Sequence, residues 1–149
     1  MLSRGSLTPS VEDYIKAIYR LTAANRPATT GEIASLLKVS SASVSGMVKR
    51  LSENGLLEHV PYKGTKLTPA GRQAALHMVR SHRLIESYLV EFLGHSGDTV
   101  HEEAERLEHA VSDTLVERMA AALGHPTVDP HGAPIPDEGD SIHEGEGKG

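Results

Sequence analysis

The chain has 149 residues, 38% of them hydrophobic, enough to bury one sizeable core or two small ones but not to build a large multidomain enzyme. It has no cysteine, which excludes disulfides and thiolate zinc sites and predicts a cytoplasmic protein. The formal net charge of −5 hides a division: residues 1–72 hold ten Lys/Arg against five Asp/Glu, whereas residues 73–149 hold five against fifteen and carry eight of the nine histidines. A basic first part suits phosphates and an acidic, imidazole-rich second part suits cations, although charge alone favours a solvated acidic surface. The first residues lack a charged stretch leading into an apolar one, and no apolar run approaches the roughly 20 residues of a membrane span, so neither export nor membrane association is expected.

Val11, Tyr14, Ile15 and Ile18 recur at i, i+3, i+4, i+7 and predict a first amphipathic helix that ends before Asn25-Arg26-Pro27. Thr29 three residues before Glu32 is a capping box for a short second helix with Ile33, Leu36 and Leu37 inward. Ser40-Ser41 opens a third helix with Val44, Val48 and Leu51 as its buried stripe, ending near Asn54-Gly55. Residues 56–67 read as a two-stranded hairpin turning near Lys63-Gly64. Thr68 and Pro69 then give an N-cap and first-turn proline for a helix to about Leu93, closed by Gly94 and roughly 37 Å long at about 1.5 Å per residue. Thr99 with Glu102 predicts another capping box, and Ser112-Asp113 opens a last helix ended by Gly124 and Pro126. The fold class is therefore mainly α: a winged helix-turn-helix over residues 1–72, a helical domain over 73–125, and an irregular tail over 126–149, disordered after about Asp140.

The third helix presents Ser41, Ala42, Ser43, Ser45, Gly46, Lys49 and Arg50 away from its apolar stripe. Small hydroxyl residues let a helix seat deeply in a major groove, and the two cations reach phosphates; Tyr62, Lys63 and Lys66 of the hairpin are placed to touch a flanking phosphate or minor groove. These elements could instead form a small structural domain with a mixed-charge surface. The helix-turn-helix spacing, the wing and the excess of positive charge in one stretch favour DNA binding.

In the second part, His101, Glu105, Glu108 and His109 share one helix face, and His82 and Glu86 stand at i, i+4 on the long helix where the two could meet. Asp13 on the first helix is a further candidate. Each pair alone is commonly a solvated face. Together, several inward carboxylates would cost several kcal/mol per charge unless a cation neutralised them. Oxygen and imidazole donors without sulfur favour Mn²⁺ or Fe²⁺.

These residues resemble the metal-dependent repressors that include the diphtheria toxin repressor and the manganese transport regulator. The likeness runs from about Thr8 to Pro136 through Val11-Glu12-Asp13-Tyr14-Ile15, Ser43-Val44-Ser45 and Leu67-Thr68-Pro69-Ala70-Gly71. It continues in Ser81-His82-Arg83-Leu84-Ile85-Glu86, the segment from Val100 to His109 with Ser112-Asp113, and Gly132-Ala133-Pro134-Ile135-Pro136. The resemblance implies a homodimer on a palindromic double-stranded DNA operator, with metal as corepressor controlling metal-transport genes. It implies two metal sites per subunit, one from Asp13, Glu105, Glu108 and His109 and one built on His82, Glu86 and His101. Carboxylates at positions 13 and 105, where iron-responsive members carry methionine and cysteine, point to Mn²⁺; an Fe²⁺-responsive member of the family is the alternative.

Three departures from the family stand out. Lys16 replaces a liganding glutamate of a manganese-responsive relative. The resemblance stops short of an SH3-like third domain, whose ligands water, His125, Asp129 or His131 would have to replace. Gly46 replaces a longer base-reading side chain. The apolar pattern assigns dimerisation to Leu107, Val111, Leu115 and Met119. Two rivals differ in what they require: a winged-helix regulator sensing an organic ligand leaves the His/Glu face merely solvated, and a small metallo-hydrolase needs an open metal position beside a general base, of which the sequence has no sign, so neither catalysis nor a small organic substrate is expected.

Overall fold

The structure, a computed structural model, describes residues 9–137; the part of the tail expected to be disordered lies outside them. The order of elements is α1 (Val11–Leu21), α2 (Thr30–Leu37), α3 (Ser41–Glu53), β1 (Leu57–Val60), β2 (Gly64–Leu67), α4 (Pro69–Leu93), α5 (Val100–Glu108) and α6 (Asp113–Ala122). The chain divides into two compact units, Met1–Ala75 and Leu76–Gly149. None of the described helices is long and apolar enough to cross a membrane.

In the first unit each helix is started by a hydroxyl side chain. Ser10 caps α1 reciprocally with Asp13, Thr29 caps α2 reciprocally with Glu32, and Ser40 accepts from the Ser43 N–H at the start of α3. Arg26 adds two hydrogen bonds to Glu32, at 2.8 and 3.2 Å. That guanidinium, with the Thr29 N–H, holds the Glu32 carboxyl down to about 2. The helices pack α1 on α2 and α2 on α3, and bury Tyr14, Ile15, Ile18, Ile33, Val44 and Leu51. Burial pushes the Tyr14 hydroxyl above its ordinary range.

The hairpin pairs Leu57 with Leu67 and Val60 with Gly64, antiparallel, and packs through β1 on α3 and through β2 on α1. Ala28 adds a third, one-residue strand, exchanging hydrogen bonds with Thr65 at 2.8 and 2.9 Å. That close approach requires Gly64: its φ is +130°, and a Cβ there would lie 2.2 Å from the Ala28 carbonyl oxygen. Gly71, in the first turn of α4, is required for a similar reason, since a Cβ would lie 2.1 Å from the Leu56 carbonyl oxygen.

In the second unit, adjacent residues of α4 serve two apolar clusters. Leu84 packs with Val116, Ala120 and Ile135, and Ile85 packs with Leu89, Val100 and Ala104. The segment 123–137 is irregular but held down. Arg80 binds Glu117 through Nε at 3.0 Å and Nη2 at 2.5 Å and donates to the Pro136 carbonyl at 2.6 Å; Arg83 donates to the Pro134 carbonyl. The expected capping box at Thr99 is absent. Thr99 is already in the right-handed helical region, its side chain pairs with Ser96 Oγ at 3.1 Å, and the Val100 N–H goes to the Ser96 carbonyl, so α5 is entered from a turn. Ser112 caps α6 as expected.

Candidate functional site

The sequence spacing of His82 and Glu86 places them one turn apart on α4, and α5 presents His101, Glu105 and Glu108 to them within the second unit. His82 Nε2 lies 2.8 Å from Glu86 Oε2 and 3.1 Å from His101 Nδ1. His82 Nδ1 lies 2.7 Å from Glu108 Oε1. The His101 ring reaches Glu86 through Nδ1 at 3.1 Å and Glu105 through Nε2 at 3.5 Å. His109 closes the end of α5, with Nε2 3.6 Å from Glu108 Oε2.

This cluster is largely dry at its centre. The side chains of Glu86, Glu108 and His82 are 4%, 6% and 11% exposed. A buried carboxylate is tolerated only when hydrogen-bonded or paired with a positive charge. A neutral imidazole has one N–H, so His82 can donate to only one of the two carboxylates its ring faces. A positive charge, either a second proton on the ring or a metal ion on one nitrogen, resolves the conflict.

Three sets of donors each bring one atom per residue within 4.8 Å of the others: His82, Glu86 and His101; His82, Glu105 and Glu108; and Glu86, Asp129 and His131. All donors are carboxylate oxygens or imidazole nitrogens, and the three-donor sets fit a hard or borderline divalent ion. The grouping of His82, Glu86 and His101 expected from sequence is thus assembled. Glu105 and Glu108 converge with His82 as well, so one imidazole is shared between two donor sets. His125 joins none of the three groups; it follows α6 in a left-handed conformation with φ 56°. Asp13 belongs to the first unit, where Oδ2 accepts from the Ser10 N–H at 2.9 Å.

The DNA-facing candidates lie in the first unit. Ser41, Ala42, Ser43, Ser45, Gly46, Lys49 and Arg50 are all exposed on α3, while Val44 and Leu51 on its other side are buried. Tyr62, Lys63 and Lys66 are exposed at the hairpin, and a Cβ on Gly46 would meet nothing within 4 Å. Sequence reasoning missed two further cations. Arg26 and Arg72 line a cleft of about 500 Å³ with Lys63 and Lys66, and the Arg72 guanidinium lies 5.5 Å from the centre of the Tyr19 ring. Positions so far apart in the chain form no local motif. Of the expected dimerisation residues, Leu107, Val111 and Met119 are partly buried against their own unit's core, and Leu115 is 43% exposed, with Phe92 and Leu93 exposed as well.

Comparison with known proteins agrees with both halves of this arrangement. Residues 6–65 match the iron dependent repressor N-terminal DNA binding domain, and residues 68–137 match the iron dependent repressor metal binding and dimerisation domain. An uncharacterised HTH-type transcriptional regulator of Methanocaldococcus jannaschii is 40% identical over 114 residues, which are 76% of this chain and 91% of that protein. The iron-dependent repressor IdeR of Mycobacterium leprae is 36% identical over 130 residues, 87% of this chain and 56% of the repressor. A manganese-dependent transcriptional repressor solved in complex with manganese superposes with a TM-score of 0.78 at 44% identity, covering 89% of this chain and 61% of that one. The chain thus spans less than two thirds of the latter two relatives. With both domains matched in order, and with a basic helix-turn-helix unit preceding a His/Glu cluster, the chain belongs to the iron-dependent repressor family.

Proposed function

We propose that the chain is a metal-dependent transcriptional regulator that binds a palindromic double-stranded operator as a homodimer, with Mn²⁺ as its corepressor. The observation that carries this reading is His82, held between Glu86 and Glu108 in a nearly dry cluster that calls for a positive charge. A bound divalent ion would supply that charge and bind the DNA-competent arrangement selectively. His82, Glu86 and His101 offer one donor set and Glu105 and Glu108, with His109 beside them, offer another. The exposed face of α3 reads the major groove, and the wing cations contact the backbone, which makes binding fall steeply with salt. Moving a population from 1:99 to 99:1 in favour of the DNA-binding form asks for about 10⁴-fold preference, about 5.5 kcal/mol.

Carboxylate and imidazole donors, with no sulfur among them, support manganese. Fe²⁺ is the second reading, favoured by the likeness to iron-dependent repressors. The control of metal-transport genes and a cytoplasmic location follow from the same reading. Dimerisation through Leu107, Val111, Leu115 and Met119 is part of it too.

Fluorescence anisotropy on DNA upstream of a metal-transport gene tests the proposal. It is run with chelator, Mn²⁺, anaerobic Fe²⁺ and Zn²⁺, on wild type and Glu105→Gln. Mn²⁺ should tighten wild-type binding at least tenfold and the variant should lose most of that response. Equal affinity in chelator and in every metal overturns the reading; a response to Fe²⁺ alone replaces manganese by iron.

A further inference from the structure

The loop after α6 places two more donors beside Glu86. Asp129 is buried, and its Oδ1 accepts from the N–H groups of His131 and Ala133, each at 2.8 Å. His131 Nε2 lies 3.2 Å from the Gly97 carbonyl oxygen. A carbonyl only accepts, which puts a proton on Nε2 and, in the neutral ring, leaves the lone pair on Nδ1. A histidine nitrogen whose partner nitrogen donates to a carbonyl is oriented as metal-ligating imidazoles are.

That Nδ1 lies 3.7 Å from Glu86 Oε1, beyond hydrogen-bond range. Glu86 is the telling residue. Its side chain is 96% buried; Oε2 faces His82 and His101, while Oε1 makes no hydrogen bond with any described residue and faces the His131 lone pair. A carboxylate oxygen of this buried side chain, opposite the lone pair of a neutral imidazole and with an Asp129 oxygen also within 4.8 Å, completes a set of three donors that a shared cation would satisfy.

We propose that Asp129, His131 and Oε1 of Glu86 form a divalent-cation site of their own, with Glu86 as the carboxylate bridge to the His82 and His101 side. The proposal rests on the reading of the cluster as a metal centre and adds a donor set from the loop to it.

The test is a Mn²⁺ titration of the full chain, followed by the loss of the free-ion electron paramagnetic resonance signal. Wild type, His101→Ala and the double variant Asp129→Asn/His131→Ala are compared. Asparagine keeps an Oδ1 to accept the two loop N–H groups, and the His131 side chain is half exposed, so the loop keeps its shape. The double variant should bind one Mn²⁺ fewer per chain, or bind that ion at least tenfold more weakly, while retaining the ion that His101→Ala loses. A double variant with wild-type stoichiometry and affinities overturns the loop site and leaves the metal-centre reading standing. A wild type that takes up no Mn²⁺ overturns both.

Discussion

Replacing Glu105 by glutamine should reverse the order of stability between wild type and variant when metal is added. Donor oxygens of Glu105 and Glu108 lie within 4.8 Å of each other. Two unit charges at that separation repel by about 3.5 kcal/mol at an effective dielectric of about 20, and by about 0.9 kcal/mol in bulk water. The Glu105 side chain is 29% exposed, which places the repulsion between those limits, at roughly 1–2 kcal/mol. Against this the variant weakens a 3.5 Å approach to His101, itself 64% exposed, worth well under about 1 kcal/mol. In chelator, Glu105→Gln should therefore be about 1 kcal/mol more stable than wild type, a rise of about 4–8 °C for a unit of this size.

Adding Mn²⁺ at about 100 times the wild-type Kd stabilises wild type by about 2.7 kcal/mol. If removing one donor weakens affinity about 100-fold, the variant gains only about 0.4 kcal/mol at the same concentration. Scanning calorimetry in chelator and in Mn²⁺ measures all four states. A variant that keeps the full Mn²⁺ shift shows that Glu105 is not a donor. A variant destabilised in chelator shows that the two carboxylates do not repel as the geometry requires.

Gly64→Ala should cost about 3 kcal/mol or more in urea unfolding, because the new Cβ would stand 2.2 Å from the Ala28 carbonyl and break its exchange with Thr65. Gly46→Ala, on an open helix face, should instead gain about 0.5–1 kcal/mol, and equal effects at the two sites would refute the close-approach argument. Glu32 carries a pH signature. Its carboxyl is held at about 2, from an ordinary 4.5, so its contribution is complete above about pH 4.5 and is lost as pH falls through about 2. Thermal melts of wild type and Glu32→Gln should differ at pH 6 and converge between pH 4.5 and 2; a difference independent of pH would place the effect elsewhere.

Local chemistry made the helices and the hairpin legible. Thr29 with Glu32, Ser40, Thr68 with Pro69, and Ser112 all mark starts that the structure keeps, because a cap needs only residues within one turn. Thr99 shows the limit of that signal: the spacing to Glu102 is right, but the turn from Ser96 has already supplied the carbonyl that the Val100 N–H uses. Ser10 and Asp13 form a box that the sequence carried, while attention to Asp13 as a donor passed over its role in starting α1. The one-residue strand at Ala28 and the hold of Arg80 and Arg83 on the last carbonyls had no periodicity to reveal them.

The candidate site was legible in residue type and only partly in arrangement. Helical spacing put His82 with Glu86, and His101 with Glu105 and Glu108, on common faces, but which nitrogen meets which oxygen depends on how α5 packs on α4. That packing is set by Ile85, Leu89, Val100 and Ala104, which fill one apolar cluster, while Leu84 on the other side packs on α6 and Ile135. Donors on these two helices are thus fixed by their buried neighbours before any ion arrives, so little ordering entropy remains to oppose binding. Asp129 and His131 sit on an irregular segment held by Ile135 and by carbonyl contacts to two arginines. Loss of those contacts should loosen the loop donors while leaving His82, Glu86 and His101 in place. The same anchoring makes Glu86, buried on the rigid helix and facing both groups, the residue through which a change on one side reaches the other.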